Sequence, residues 1–161
     1  MNIRKARPAE APQLTALLRA AFHDYLIGIG RTPPGDYAWL AGALSGGRVH
    51  VAEDGQGRLL GLLSVTLDAD GALLVVDHLA VDPAAQGQGV GRALLAHAEA
   101  MARASGCREM RLHTVAQYDH LVQFYARAGF AIVHRGPRPK GDDGFDRAFL
   151  CKTIETGEPA A

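Results

Sequence analysis

Between an apolar run that ends at Val81 and a helix-forming run that begins at Val90, the chain reads Gln86-Gly87-Gln88-Gly89-Val90-Gly91-Arg92. Glycines let a ligand approach the backbone closely, and the first N–H groups of a helix have no intrahelical acceptor. The helix dipole adds about half a positive charge at that end, so the stretch can cradle a phosphate or pyrophosphate. The plainer alternative is a glycine-rich connection that binds nothing. A P-loop needs Gly-Lys-Ser/Thr, and this stretch has no lysine. A dinucleotide fold wants G-x-G-x-x-G after the first strand, with an acidic residue about 20 residues on. The spacing here is G-x-G-x-G, so both nucleotide readings are poorly supported.

Other reactive residue types form no such pattern. The seven histidines show no H-E-x-x-H or comparable ligand spacing, so no metal is expected. Cys107 and Cys151 make neither a C-x-x-C pair nor a disulfide framework, and read as strand packing rather than nucleophiles.

The elements that position the loop follow from periodicity. Residues 2–6 suggest a strand. Pro8 and Glu10 suit the opening of a helix whose apolar face carries Leu14, Leu17, Leu18, Ala21 and Phe22. Residues 28–36 read as a loop before a short helix with Tyr37, Leu40, Ala41 and Leu44. Runs over 48–53, 58–68 and 72–81, joined by turn-forming residues, suggest an antiparallel meander. The third run is apolar almost throughout, as in a strand covered on both faces. A helix over about 90–104 and a strand over 108–115 complete a parallel strand–helix–strand unit. A last helix over about 117–128 stops at Gly129, and strands over 130–135 and 144–154 flank a polar loop. Residues 155–161 read as a frayed tail.

The whole chain bounds the reading further. It has 161 residues, 48% hydrophobic and 21% charged, enough for one domain with a sizeable core. Lys+Arg 17 against Asp+Glu 17 leaves no net charge, which argues against nucleic acid as a partner. No apolar run reaches the ~18 residues of a membrane span. The N-terminal MNIRKARPAEAP lacks a signal peptide's apolar core, so a reducing, cytoplasmic setting is expected.

Two motifs in order give the chain a family likeness. Leu79-Ala80-Val81-Asp82-Pro83 followed by Gln86-x-x-Gly89-x-Gly91 resembles the acetyl-CoA motif of the GNAT (Gcn5-related N-acetyltransferase) superfamily. Leu112-x-Thr114 and Phe124-Tyr125-x-x-x-Gly129-Phe130 resemble its second signature. The likeness covers about residues 2–154. It implies a single domain over 1–154 with an α/β (α+β) fold: a mixed central sheet of about six to seven strands flanked by four helices.

The resemblance also implies an activity, transfer of the acetyl group of acetyl-CoA to a primary amine. Backbone groups of Leu79, Ala80 and Val81 would pair with the pantetheine arm like an added strand. The amides of Gly87, Gln88, Gly89, Val90, Gly91 and Arg92, entered from Gln86, would hold the pyrophosphate. Val81 is the best candidate to meet the oxyanion. Tyr125 would sit near the thioester sulfur and stabilise the thiolate. Where the family often has Asn, seven residues before that tyrosine, this chain has Tyr118, and Leu121 replaces a small residue.

Candidate bases for the attacking amine are Asp77, His78 and His113, with a water chain as the alternative. Neighbours on a strand point to opposite faces, so at most one of Asp77 and His78 is expected to face the site. Tyr25, Arg31, Tyr37 and Trp39 could line the acceptor cleft, although Trp39 could equally be helix packing. By default the loop 136–144 is a solvated turn. A non-catalytic acyl-CoA binding or regulatory module is the competing reading, motivated by Tyr118. An exposed strand or helix face could support a homodimer.

Overall fold

The computed structural model describes residues 1–68, 70 and 72–155. Its elements are β1 (Asn2–Lys5), α1 (Ala11–Gly28), α2 (Ala38–Ser45), β2 (Val49–Glu53), β3 (Leu59–Leu67), β4 (Leu73–Val81), α3 (Val90–Ala104), β5 (Glu109–Val115), α4 (Asp119–Arg127), β6 (Ala131–Gly136) and β7 (Arg147–Thr153). Short 3-10 turns occupy Pro8–Glu10 and Pro83–Ala85. The strands form a mixed seven-stranded sheet in the order β1-β2-β3-β4-β5-β7-β6, and four α-helices accompany it. No described helix is long and apolar enough to cross a membrane. The tail expected over 155–161 lies, Glu155 apart, outside the described residues.

The chain divides into two compact units. The first comprises Met1–Thr66 and Asp77–Ala98; the second comprises Leu67–Val76 and the described residues from Glu99 onward. In the first unit, β1 pairs antiparallel with β2, and β2 with β3. Leu14, Leu17 and Leu18 recur at helical spacing on α1 and pack with Leu40 and Leu44 of α2, Val51 of β2 and Leu62 of β3. This apolar layer places α1 and α2 on the β2–β3 face that carries Val49, Val51 and Leu62.

The helix expected to open at Pro8 opens at Ala11 instead. Pro8 leads a separate 3-10 turn, and Pro12 sits within the first two positions of α1, where a missing N–H costs nothing. Glu10 is occupied otherwise: its carboxylate accepts from the Arg7 N–H at 2.8 Å and pairs with Arg4 at 2.8 Å. Arg4 also meets Glu53, which ties β1, the turn and β2 together. Tyr37, expected inside α2, is the extended residue that caps it.

In the second unit, β4 and β5 run parallel through Leu73, Leu74 and Val75 opposite Glu109, Met110 and Arg111. The pairing expected of a strand–helix–strand unit is thus present. β7 lies antiparallel to both β5 and β6. α4 stops where Gly129 turns to φ 98°, the left-handed C-terminal residue its sequence indicated.

The loop before β7 differs from the solvated turn expected. Arg147 is 4% exposed, and its guanidinium donates to both Asp143 carboxylate oxygens and to the Phe145 carbonyl. That guanidinium holds the Asp143 carboxyl down at about 2. A charge this deeply covered needs its partners in place, so Asp143 is an anchor of the loop.

Candidate active site

The glycine loop and everything that seats it belong to the first unit. β4 ends at Val81, and Asp82 turns the chain. Its N–H donates to the Leu60 carbonyl at 2.9 Å. Its carboxylate accepts from the Ala84 N–H at 3.0 Å and from Arg58 at 3.1 Å. The Ala84 hydrogen bond above all, with Arg58 behind it, holds the Asp82 carboxyl below its usual range. Ala85 is buried and pins the short turn. Gln86 is extended and exposed.

Gly87 and Gly89 both adopt φ 80°, a conformation that costs a residue bearing a Cβ about 1–2 kcal/mol. Space around both is open, so backbone geometry rather than crowding requires glycine there. Ala93 is the first residue of α3 with a regular intrahelical bond, its N–H donating to the Gly89 carbonyl at 3.0 Å. Helix geometry therefore leaves the N–H groups of Val90, Gly91 and Arg92 without intrahelical acceptors. Gln88 and Arg92 are exposed, while Val90 is buried. The residues fit an anionic ligand: left-handed glycines, open space and unclaimed amides at a positive helix end.

What fixes the depth of this helix start is a residue the sequence reading passed over. A Cβ on Gly61 of β3 would lie 2.8 Å from Val90 Cγ1, 2.9 Å from Leu94 Cδ1 and 3.0 Å from the Ala80 carbonyl. Only glycine lets the first turn of α3 settle so close to β3 and β4. A lone glycine inside an apolar strand was the available signal. A second tie lies further along the helix, where His97 of α3 and His50 of β2 share a hydrogen bond at 3.2 Å. Burial first, then His97 and Lys5, push the His50 imidazole down to about 4.

The three residues before the loop end β4 with Ala80 buried and Leu79 and Val81 half-buried. Just upstream, the expected alternation of Asp77 and His78 fails. Asp82 lies opposite Leu60, and a regular register carried back from there sets His78 against Ser64. The Ser64 hydroxyl and His78 Nδ1 are indeed 2.8 Å apart. Asp77 should then face away, yet the Thr66 hydroxyl donates to its carboxylate at 2.5 Å. At the other end of the hairpin Asp68 bonds Leu73. Residues 61–67 of β3 are thereby matched by residues 74–81 of β4, one more on the β4 side: a β-bulge. The side chains of both residues thus meet hydroxyls two residues apart on β3.

Trp39 of α2 lies flat on the His78 ring, centroids 3.7 Å apart and planes 3° from parallel. Tyr37 stands edge-on to Trp39, and Phe22 to Tyr37. Trp39 packs against the α1–α2 core, as the packing alternative expected, and also reaches β4 through His78. Ser64 and Thr66, two hydroxyls in an apolar strand, were the overlooked sequence signal for this cluster.

Tyr25 and Arg31 lie in the first unit, at the C-terminal end of α1 and just beyond it, whereas His113, Tyr118 and Tyr125 belong to the second. His113 on β5 is exposed, its ring against Phe149. Tyr125 is half-buried on α4, edge-on to Phe124 and Phe130. Tyr118 is the residue that caps α4 rather than part of its helical face, and its ring lies near His120.

Residues 13–130 match the family described as Acetyltransferase (GNAT) family. The streptothricin acetyltransferase of Streptomyces lavendulae is 30% identical over 113 residues, covering 70% of this chain and 54% of that protein. The mycothiol acetyltransferase of Cellulomonas flavigena is 46% identical over 83 residues, 49% of this chain and 24% of that protein. The chain thus spans about half, or less, of the length of these relatives. The crystal structure of an aminoglycoside 6'-N-acetyltransferase complexed with coenzyme A superposes with TM-score 0.74 at 18% identity, over 99% of this chain and 100% of that one, a likeness of fold. With the family match covering most of the sequence, and the glycine loop lying within it, the chain belongs to the GNAT acetyltransferase family.

Proposed function

We propose that the protein is an N-acetyltransferase that moves the acetyl group of acetyl-CoA directly to a primary amine of a small molecule or a protein, through one domain over residues 1–154. The observation that carries this reading is the loop after β4: two glycines at φ 80° followed by a helix start whose first amides have no intrahelical acceptor. The pyrophosphate of acetyl-CoA is held by the amides from Gly87 to Arg92. The pantetheine arm pairs with the backbone of Leu79, Ala80 and Val81, and the Val81 N–H meets the oxyanion.

Three tasks then remain for side chains: to take the ammonium proton, to place the amine and to manage the departing thiolate. Asp77 or His113 takes the proton, directly or through water. The family motif assigns the thiolate to Tyr125. A phenol near pKa 10 protonating a thiolate near 8.5 is uphill by about 2 kcal/mol, so its hydroxyl works mainly as a hydrogen-bond donor. Two free cysteines fit a reducing, cytoplasmic setting. Exposed Ile132 and Val133 on the end strand β6 offer an edge for a homodimer.

Release of free thiol from acetyl-CoA, measured against a panel of amines, tests the activity. Thiol release that depends on one class of amine supports it. Tight acetyl-CoA binding without release for any amine supports the competing non-catalytic acyl-CoA module, the reading that Tyr118 in place of the usual Asn favours.

A further inference from the structure

Asp82 is tied to the sheet just before the glycine loop, its N–H on the Leu60 carbonyl at 2.9 Å. Gly87, the first left-handed glycine of that loop, follows closely. Whatever fixes the turn between them therefore decides where the loop amides point. This inference rests on the proposed role of the loop as the coenzyme cradle and adds residues that aim it.

Asp82 does two jobs with its two carboxylate oxygens. Oδ1 accepts from the Ala84 N–H at 3.0 Å and so caps the short turn Pro83–Ala85. Oδ2 accepts from Arg58 Nη2 at 3.1 Å. A carboxylate turns about its stem bonds, and a guanidinium held on the second oxygen opposes that rotation. Arg58 is itself fixed from behind. Its N–H and that of Gln56 both donate to Asp54 Oδ1 at 2.9 Å, and its carbonyl takes the Asp54 N–H at 3.0 Å. Gly57 gives this turn between β2 and β3 its reversal, at φ 79°. A chain of hydrogen bonds thus runs from Asp54 through Arg58 and Asp82 to the turn that delivers Gly87, all within the first unit. As a stabiliser of the fold the ion pair counts for little, because the Arg58 side chain is 54% exposed. Its place in that chain of bonds gives it a different use.

We propose that Asp82 and Arg58 are positioning residues for the coenzyme: Asp82 sets the turn that aims the loop amides, and Arg58 holds the Asp82 carboxylate in the orientation that does so. Acetyl-CoA affinity then depends on Arg58, a residue of the β2–β3 turn that acts through Asp82 rather than on the ligand.

Coenzyme A is titrated calorimetrically into the unaltered protein and into variants whose thermal midpoints are also measured. Asp82→Ala should weaken binding by about tenfold, the scale of one hydrogen bond. Asp82→Asn keeps an oxygen for the Ala84 N–H and should recover part of that loss. Arg58→Met should weaken binding by about threefold, with a thermal midpoint within about 2 °C of the unaltered protein. Arg58→Lys should recover part of the affinity. The double variant Arg58→Met, Asp82→Ala should bind no more weakly than Asp82→Ala alone, because both residues act on one path. Gln56→Ala, in the same turn, should bind normally. Three results overturn the positioning role: unchanged affinity in Arg58→Met, affinity within about twofold in Asp82→Ala, or losses that multiply in the double variant, which would put Arg58 on the coenzyme itself. The Arg58 pair of variants decides the matter even where Asp82→Ala does not fold. Failure of the unaltered protein to bind coenzyme A removes the cradle, and the positioning role with it. Normal binding there with any of the three negative results removes only the positioning role.

Discussion

Gly61 and Val90 approach so closely that a methyl on the glycine would sit 2.8 Å from the valine Cγ1, inside any real contact distance. β3 was therefore built to receive the start of α3, and the glycine loop before it is positioned by a missing side chain. Gly61→Ala should destabilise the protein by about 1–3 kcal/mol, the usual cost of overpacking, read as a lower thermal midpoint. Its affinity for coenzyme A should fall as well, because the first helical turn must back away to make room.

The loop glycines act through conformation. Gly87→Ala and Gly89→Ala should each cost about 1 kcal/mol in stability and weaken coenzyme A binding by about tenfold or more, as amides leave their aim. Gly106→Ala is the matched control. That residue also has a positive φ, 72°, with open space around it, but lies in the turn after α3. It should show the same loss of stability and no loss of coenzyme affinity in calorimetric titration.

Much of this was legible beforehand because local rules decided it. Helical spacing marked the apolar face of α1, Gly129 marked the end of α4, and the glycines of the loop 86–92 marked the left-handed backbone that precedes α3. Long-range contacts were not legible. The bulge at Asp77–His78 breaks the two-residue period on which strand reading depends, so a pair expected on opposite faces shares one. The loop 136–144 read as a solvated turn because the pairing of its Asp143 with the buried Arg147 forms only in the fold. Trp39 showed no sign of its partner, since His78 lies on an element remote in sequence.

Acid should loosen the seat of α3 on β2. His50 is buried and neutral, its imidazole pushed from 6.5 down to about 4, and His97 beside it is also lowered by burial. The unfolded chain binds the His50 proton below about pH 6.5 while the folded chain resists it until about pH 4, and burial moves His97 in the same direction. Stability should thus be flat above that window and fall through it, by at most about 1.4 kcal/mol per pH unit for each histidine. Chemical denaturation at a series of pH values measures the slope. The double variant His50→Leu, His97→Leu should flatten it, the opposing charge of Lys5 then having no imidazolium to face.

Tyr125→Phe should separate chemistry from binding. Removal of one hydroxyl donor from a departing thiolate should reduce kcat by about tenfold to a hundredfold, while coenzyme A affinity stays within about twofold. Steady-state kinetics with calorimetry on the same preparation decides it. An undiminished kcat would take Tyr125 out of the mechanism.

The account stands on the amides that open α3. Titration of isotope-labelled protein with acetyl-CoA, followed by backbone amide NMR, observes them one at a time. Saturable shifts centred on Gly87 to Arg92, with the amides of Leu79 to Val81 moving in step, are the predicted result. Unmoved resonances in that loop at millimolar acetyl-CoA, or shifts confined to other parts of the chain, would contradict it.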